Sequence, residues 1–187
     1  MILLTDFWDF IRYGIPRFFR NLWMFRKDLY SYRWYSGHYA ILPFMTTALK
    51  DISKSVELYG IEEQVSSAKK VAKMKRAVEL MQHFINDDFC NLAEMEVGAL
   101  HIRKLDFIPT GDGYYRMVDN LTAEESEHNS KVYKRSSEIE EELWIELWDT
   151  IKGQPIQEYQ KYYDNCKNKD NAWNEWFDGS GMRGWWD

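Results

Sequence analysis

The sequence predicts an all-α protein: a single-domain helical bundle built around an antiparallel helical hairpin, with an aromatic and glycine-rich C-terminal tail. Three observations predict this fold. Apolar residues recur at steps of three and four along most of the chain, which is the spacing of one helix face. Glycines and prolines stand between these runs, where helices end and begin. A chain of 187 residues that is 45% hydrophobic and 29% charged is long enough to bury one core.

The first helices are short and aromatic. We expect a helix over residues 6–13 that ends at Gly14, followed by a helix with Pro16 in its first turn, where a missing amide costs nothing. The apolar face of this second helix is marked by residues at steps of four and three: Phe18, Leu22, Phe25, Leu29 and Tyr32.

Two heptad stripes predict the central hairpin, within a hairpin core of about residues 16–103. The first stripe lies on 38–59, where Pro43 predicts a kink, and the second lies on 65–103. We expect the two segments to pack antiparallel around a turn at 60–65. Six apolar side chains should then be buried between them: Met45, Leu49, Ile52, Val71, Met74 and Val78.

Turn residues and helix signals organise the rest of the chain. Glycine and proline predict a loop over about 106–116, and no run of residues favours a strand. Thr122 followed by Glu125 forms a capping box that starts a helix, and Gly153 should end it. The C-terminal helices and the tail therefore span 122–187. The tail holds Trp173, Trp176, Trp185 and Trp186, and we expect it to dock on the N-terminal helix.

The charge and the cysteines bound the function. The net charge of −6 argues against generic nucleic-acid binding, although the N-terminal part is basic. That basic patch either faces the acidic stretch 124–149 or stays exposed. Cys90 and Cys166 do not form a disulfide framework and are expected to be reduced. We expect no signal peptide and no transmembrane helix, and therefore a soluble protein of the cytoplasm.

Three segments carry a resemblance to known proteins. They are Ile15-Pro-Arg-Phe-Phe-Arg-Asn-Leu-Trp-Met-Phe-Arg-Lys-Asp-Leu, Lys73-Met-Lys-Arg-Ala-Val-Glu-Leu, and Asp178-Gly-Ser-Gly-Met-Arg-Gly-Trp-Trp-Asp. With them the chain resembles a family of small helical proteins encoded by tailed bacteriophages. The resemblance implies the cytoplasm of an infected bacterium as the setting, and it implies no catalytic residue.

The first candidate site is a polar pair on the hairpin. His38 and Asp88 occupy heptad positions that face the seam, at similar distances from the turn. A buried charge there needs a partner, so the pair either fixes the register of the hairpin or forms the floor of a ligand pocket. Trp34 and Tyr35 would form the walls of that pocket, and Arg33 or Asp87 would supply charge.

A line of carboxylates is the second candidate: Glu138, Glu142, Glu146 and Asp149. Their spacing puts them on one helix face, as in the all-α nucleotide hydrolases that bind Mg²⁺ through oxygen ligands. A solvated helix face is the alternative interpretation, and it is the one we expect.

The third candidate is the tail, where Gly179, Gly181 and Gly184 could shape an anion-binding nest beneath Arg183. The alternative is a connector that docks Trp185 and Trp186. Together these features favour a non-enzymatic binding protein that acts on a host or phage protein or on a small ligand, for example against a host defence. A magnesium-dependent nucleotide hydrolase and a virion structural or packaging component are the alternatives, and self-association stays open.

Overall fold

Helices make up most of the chain in the computed structural model, which confirms the predicted all-α class. The structure describes residues 7–33, 37–60, 63–102, 105–119 and 121–185, and for residues 38, 39 and 119 it describes the backbone alone. The chain divides into two compact units. The first unit comprises Met1–Ile85 with Asp149–Asp187, and the second comprises Asn86–Trp148.

The first described helix of the first unit does not end at Gly14. A π-helical turn over Phe10–Gly14 leads directly into α1 (Ile15–Met24), and Gly14 keeps helical torsion angles. The prediction of a helix end there is wrong, because a glycine without an αL angle or a capping bond does not stop a helix. A single turn residue, Phe25, separates α1 from α2 (Arg26–Ser31).

The predicted hairpin is formed by α3 (His38–Tyr59) and α4 (Gln64–Asn86). Thr46 on α3 donates a hydrogen bond to the sulfur of Met81 on α4 at 3.8 Å. Further along α3, Glu57 pairs with Lys75, 3.3 Å from Nζ to Oε1. Because the partner on α4 moves backward as α3 advances, the two helices are antiparallel, as predicted.

The predicted hairpin core is confirmed in part. Leu49, Val71 and Met74 are buried, whereas Met45, Ile52 and Val78 are half-buried. The buried face of α4 is wider than the heptad stripe and includes side chains that the stripe omits: Ala77, Leu80 and Phe84. A wide buried face indicates that α4 packs against more than one neighbour.

The second unit begins where the predicted long helix breaks. Asp87 adopts a positive φ of 50°, and α5 (Phe89–Val97) follows it, so the prediction of one helix through residue 103 is wrong. The segment after α5 is held in place by hydrogen bonds with Asn129. Its side chain donates to the carbonyl of His101 and accepts from the amide of the same residue, at 3.0 and 2.9 Å.

The predicted loop is a β-hairpin. Strand β1 (Leu105–Pro109) pairs antiparallel with β2 (Tyr115–Asp119), with Phe107 opposite Met117. Gly111 and Gly113 have positive φ in the connecting turn, and there Asp112 accepts a hydrogen bond from the Thr110 hydroxyl. The expectation of a chain without strands is therefore wrong for this segment.

The long helix α6 (Ala123–Lys152) follows, and its last four residues, Asp149–Lys152, belong to the first unit. Gly153 ends it with a φ of 72°, as the sequence predicts. The chain then forms α7 (Ile156–Asn165), α8 (Ala172–Trp176) and a 3₁₀ turn at Met182–Gly184. Among the described residues, no helix is both long enough and apolar enough to cross a membrane.

Candidate functional site

The N-terminal helix, residues 7–24, carries a continuous apolar face that stays exposed among the described residues. Its eight side chains recur at steps of three and four, and each is between 36% and 70% exposed. We call this surface the aromatic face, and it consists of Phe7, Trp8, Ile11, Ile15, Phe18, Phe19, Leu22 and Trp23. Helices of globular proteins usually turn such a face toward the core, so its exposure here calls for a function.

The polar side of the same helix is the side that contacts the protein. Arg20 lies opposite the aromatic face at 100° per residue, and its guanidinium contacts both carboxylate oxygens of Asp51 on α3, at 3.0 and 3.3 Å. Further along, Phe25 and Tyr32 pack on Phe44 of α3, with ring centroids 5.8 and 6.1 Å apart. These contacts fix which side of α1 faces outward.

The segment that carries the aromatic face is basic. Residues 7–33 contain six Lys/Arg and two Asp, which is a net charge of +4 in a chain whose total is −6. The guanidinium of Arg26 lies 4.0 Å above the ring of Trp23 and donates to the Trp23 carbonyl. A cation is thus held at the border between the apolar and the polar side of the helix.

A second candidate lies where the tail docks on α4. Lys69 of α4 donates to the carbonyls of Asn174 and Phe177, at 2.6 and 2.7 Å. The Trp185 indole is 1% exposed and donates to the carbonyl of Gly179. Because Phe7, Trp8 and Phe10 remain exposed, the expectation that the tail packs on the N-terminal helix is wrong for the described residues.

Glycines make this docking close. Gly179 and Gly181 have positive φ, as a nest would need, but they use it to approach other backbone. A Cβ on Gly179 would lie 2.3 Å from the Lys69 carbonyl oxygen, and one on Gly153 would lie 2.4 Å from Cα of Gly181. The Gly181 amide donates to the Thr150 carbonyl at 2.9 Å. The glycines therefore serve packing, which was the alternative to an anion nest.

A cleft of about 300 Å³ opens beside the docked tail, lined by residues of the end of α6, α4 and the tail. Lys73 and Asp178 form an ion pair across 3.2 Å at its wall. Partial burial raises the pKa of Asp178. Hydrogen bonds from the Ser180 hydroxyl and amide and from the Lys73 ammonium lower this pKa by more than burial raises it, so it lies below its usual range. The remaining charged lining residues, Asp149 and Lys152, are also of opposite sign, so the cleft has no charge preference.

The predicted carboxylates lie on α6, where Glu138, Glu142 and Asp149 are exposed and Glu146 is half-buried. In the second unit Arg135 donates to Glu142 at 2.8 Å and to Glu96 at 2.6 Å. These bonds raise the pKa of Arg135 and lower that of Glu96. Over the part of the chain that the structure describes, no three His, Cys, Asp or Glu side chains form a group able to hold a metal ion. The magnesium site stays a prediction.

Of the six predicted ligand-binding residues, the structure describes the side chains of Arg33, Asp88 and Arg183. Trp34 and Tyr35 lie outside the described residues, as does the side chain of His38, so its pairing with Asp88 stays a prediction. Asp88 precedes α5 in the second unit, and Arg33 follows α2 in the first. Arg183 is exposed in the last 3₁₀ turn.

Sequence reasoning identified the apolar stripe of the N-terminal helix but missed its orientation. Phe18, Leu22 and Leu29 of the stripe are exposed, whereas Phe25 is half-buried. The basic side of the helix could have indicated the orientation, because Arg20 can pair with a carboxylate on a neighbouring helix. Comparison with family models, with curated proteins and with solved structures finds no match to this chain.

Proposed function

We propose that this protein is a non-enzymatic binding protein whose working surface is the aromatic face. The observation that supports the proposal is the orientation of the N-terminal helix. Its charged side is paired with α3 through Arg20 and Asp51, and its apolar side is exposed to solvent. A helix held in this way presents large apolar side chains to whatever approaches from outside.

The energetics favour a partner. Burying one large apolar side chain gains roughly 1.5–3 kcal/mol over leaving it in water, so covering several members of the aromatic face would drive a stable complex. The ion pair of Arg20 with Asp51 is largely exposed and contributes at most about 1 kcal/mol. The packing of Phe25 and Tyr32 on Phe44 adds to this ion pair in holding the segment.

The resemblance to bacteriophage proteins supplies the setting of this proposal. In the cytoplasm of an infected bacterium, the protein would engage a component of the host or of the phage through the aromatic face. Inhibition of a host defence factor is one role that such binding could serve.

A capture experiment tests the proposal. Tagged wild-type protein and a Phe18→Ser/Leu22→Ser double variant are isolated from phage-infected cells, and the co-isolated proteins and lipids are identified by mass spectrometry. We expect a component that the wild type retains and the variant loses, because both side chains are exposed and their loss leaves the fold intact.

The control is a double variant that removes exposed apolar side chains elsewhere, Ile145→Ser/Trp148→Ser on α6. It should retain the same component as the wild type. If all three proteins retain the same components, the aromatic face is not the working surface.

A further inference from the structure

We propose that the aromatic face docks on the surface of an anionic phospholipid bilayer, with the N-terminal helix lying in the plane of the headgroups. This inference rests on the proposed function and specifies what the aromatic face binds. It starts from the shape and composition of residues 7–24. They form 18 consecutive helical residues, about 27 Å long at 1.5 Å per residue.

The composition is that of an interfacial helix. Such helices combine tryptophan, phenylalanine and leucine on one face with arginine and lysine on the other, and they insert the apolar face to the depth of the acyl boundary. The aromatic face has five phenylalanine or tryptophan rings, and its other three members are isoleucine or leucine. Indole rings favour the headgroup level, because their apolar body and N–H group match both sides of that boundary.

Charge favours an anionic bilayer over a second copy of this chain. The segment 7–33 carries a net charge of +4, opposite in sign to the whole chain at −6. A second copy of this chain would bring the same positive segment against itself, which is unfavourable. Negatively charged headgroups complement it instead, with each Lys or Arg near the surface adding to the attraction.

The positions of the positively charged side chains also fit an anionic bilayer. Arg26 stacks on Trp23 at 4.0 Å, so one positive charge is fixed beside an indole at the rim of the aromatic face. When the indole lies at headgroup level, this guanidinium lies at the height of the phosphates, to which it can donate two hydrogen bonds. Arg17 and Lys27 are exposed on the same segment.

Vesicle flotation tests the inference with the full chain. The probes are vesicles of phosphatidylcholine with one third phosphatidylglycerol and vesicles of phosphatidylcholine alone. We expect binding to the anionic vesicles that is at least about tenfold tighter than to the neutral ones and that weakens with added salt. Tryptophan emission should shift to the blue on binding.

Two variants separate the apolar from the electrostatic contribution. Phe18→Ser/Leu22→Ser should abolish binding, and Arg17→Gln/Lys27→Gln should weaken binding to anionic vesicles by about fivefold per charge removed. Ile145→Ser/Trp148→Ser is the matched control and should bind as the wild type does. Circular dichroism and thermal melting verify that each variant is folded.

The outcomes separate this inference from the proposed function. Absence of vesicle binding overturns the membrane inference. If capture from infected cells still depends on Phe18 and Leu22, the proposed binding function stands with another partner. Equal binding to both vesicle types also overturns the inference, because charge would then not select the surface. So does a wild-type dimer in sedimentation velocity that Phe18→Ser/Leu22→Ser converts to a monomer, since the occupant would be a second copy.

Discussion

Two single residues decide how the tail is held, and they act in different ways. Gly179 permits backbone to approach backbone, because its carbon lies against the Lys69 carbonyl with no room for a side chain. Asp178 supplies charge and hydrogen bonds, since it accepts from the amide and the hydroxyl of Ser180 and pairs with Lys73. The first contribution is steric and independent of pH, whereas the second depends on ionisation.

Replacing Gly179 with alanine should destabilise the first unit. The residue has a φ of 90°, where an L side chain is strained by about 1–3 kcal/mol, and the new Cβ would lie 2.3 Å from a carbonyl oxygen. Urea denaturation measures the loss. Gly184→Ala is the matched control, because nothing lies within 4 Å of its Cβ position, and it should change the free energy of unfolding by less than about 0.5 kcal/mol. Equal effects of the two variants would contradict the close docking of Gly179.

Acid should weaken the docking of the tail. The pKa of Asp178 is lower in the folded chain than its ordinary value of 3.8, so the unfolded chain binds the proton more readily. The stability that Asp178 contributes is then present above pH 3.8 and is lost as the pH falls through the folded pKa. The free energy of unfolding should therefore fall more steeply below that pH in the wild type than in Asp178→Asn. Parallel curves for the two proteins would show that Asp178 is not linked to folding.

Among the helices and strands, those marked by local hydrogen-bonding residues were predictable from the sequence. An exposed strand, which has no hydrophobic alternation, was not. The capping box predicted from Thr122 and Glu125 is present, with hydrogen bonds of 2.7 and 3.2 Å between the two residues. It was predictable because it depends on four neighbouring residues only. Strand β1 was missed because all five of its residues are exposed, and alternation of apolar and polar residues arises only when one face of a strand is buried.

The buried face of α4 shows a second limit of sequence patterns. A heptad stripe follows one neighbour, α3, through Val71, Met74 and Met81. The tail approaches another side of α4, where Ser66 donates to Asn174. A contact with a residue 108 positions away in the sequence adds no periodic hydrophobic pattern to the helix. The same limit applies to the aromatic face, since an amphipathic pattern does not tell which side of a helix meets the protein.

The capping box should be worth a measurable amount of stability. Thr122→Ala removes the oxygen that accepts from the Glu125 amide, and loss of such a cap costs about 0.5–2 kcal/mol. Amide hydrogen exchange should accelerate in the first turn of α6 before it does elsewhere in that helix. Ser137→Ala, at an exposed position inside the same helix, is the control and should have little effect. Unchanged exchange in the first turn of the Thr122 variant would contradict the role of the cap.

For the whole molecule, the all-α class was predictable, because the residues that pack in the hairpin are close in sequence. Leu49 is 3% exposed in this hairpin, and Leu49→Ala should cost about 2–5 kcal/mol of unfolding free energy. Chemical denaturation measures the change, with the exposed neighbour Lys50→Ala as its control. A loss no larger than that of the control would show that this side chain is not part of the core.

The division into two units has a consequence for the order in which the chain can fold. The second unit, Asn86–Trp148, is one uninterrupted segment, so ribosomal synthesis supplies all of it before any residue from Asp149 onward exists. Lys69 and Ser66 of α4 must meanwhile wait for Asn174, more than one hundred residues downstream. Domains fold as their segments become available, and long-range contacts form slowly. In pulse-labelling during refolding, amides of the second unit should accordingly gain protection before those that depend on the docked tail.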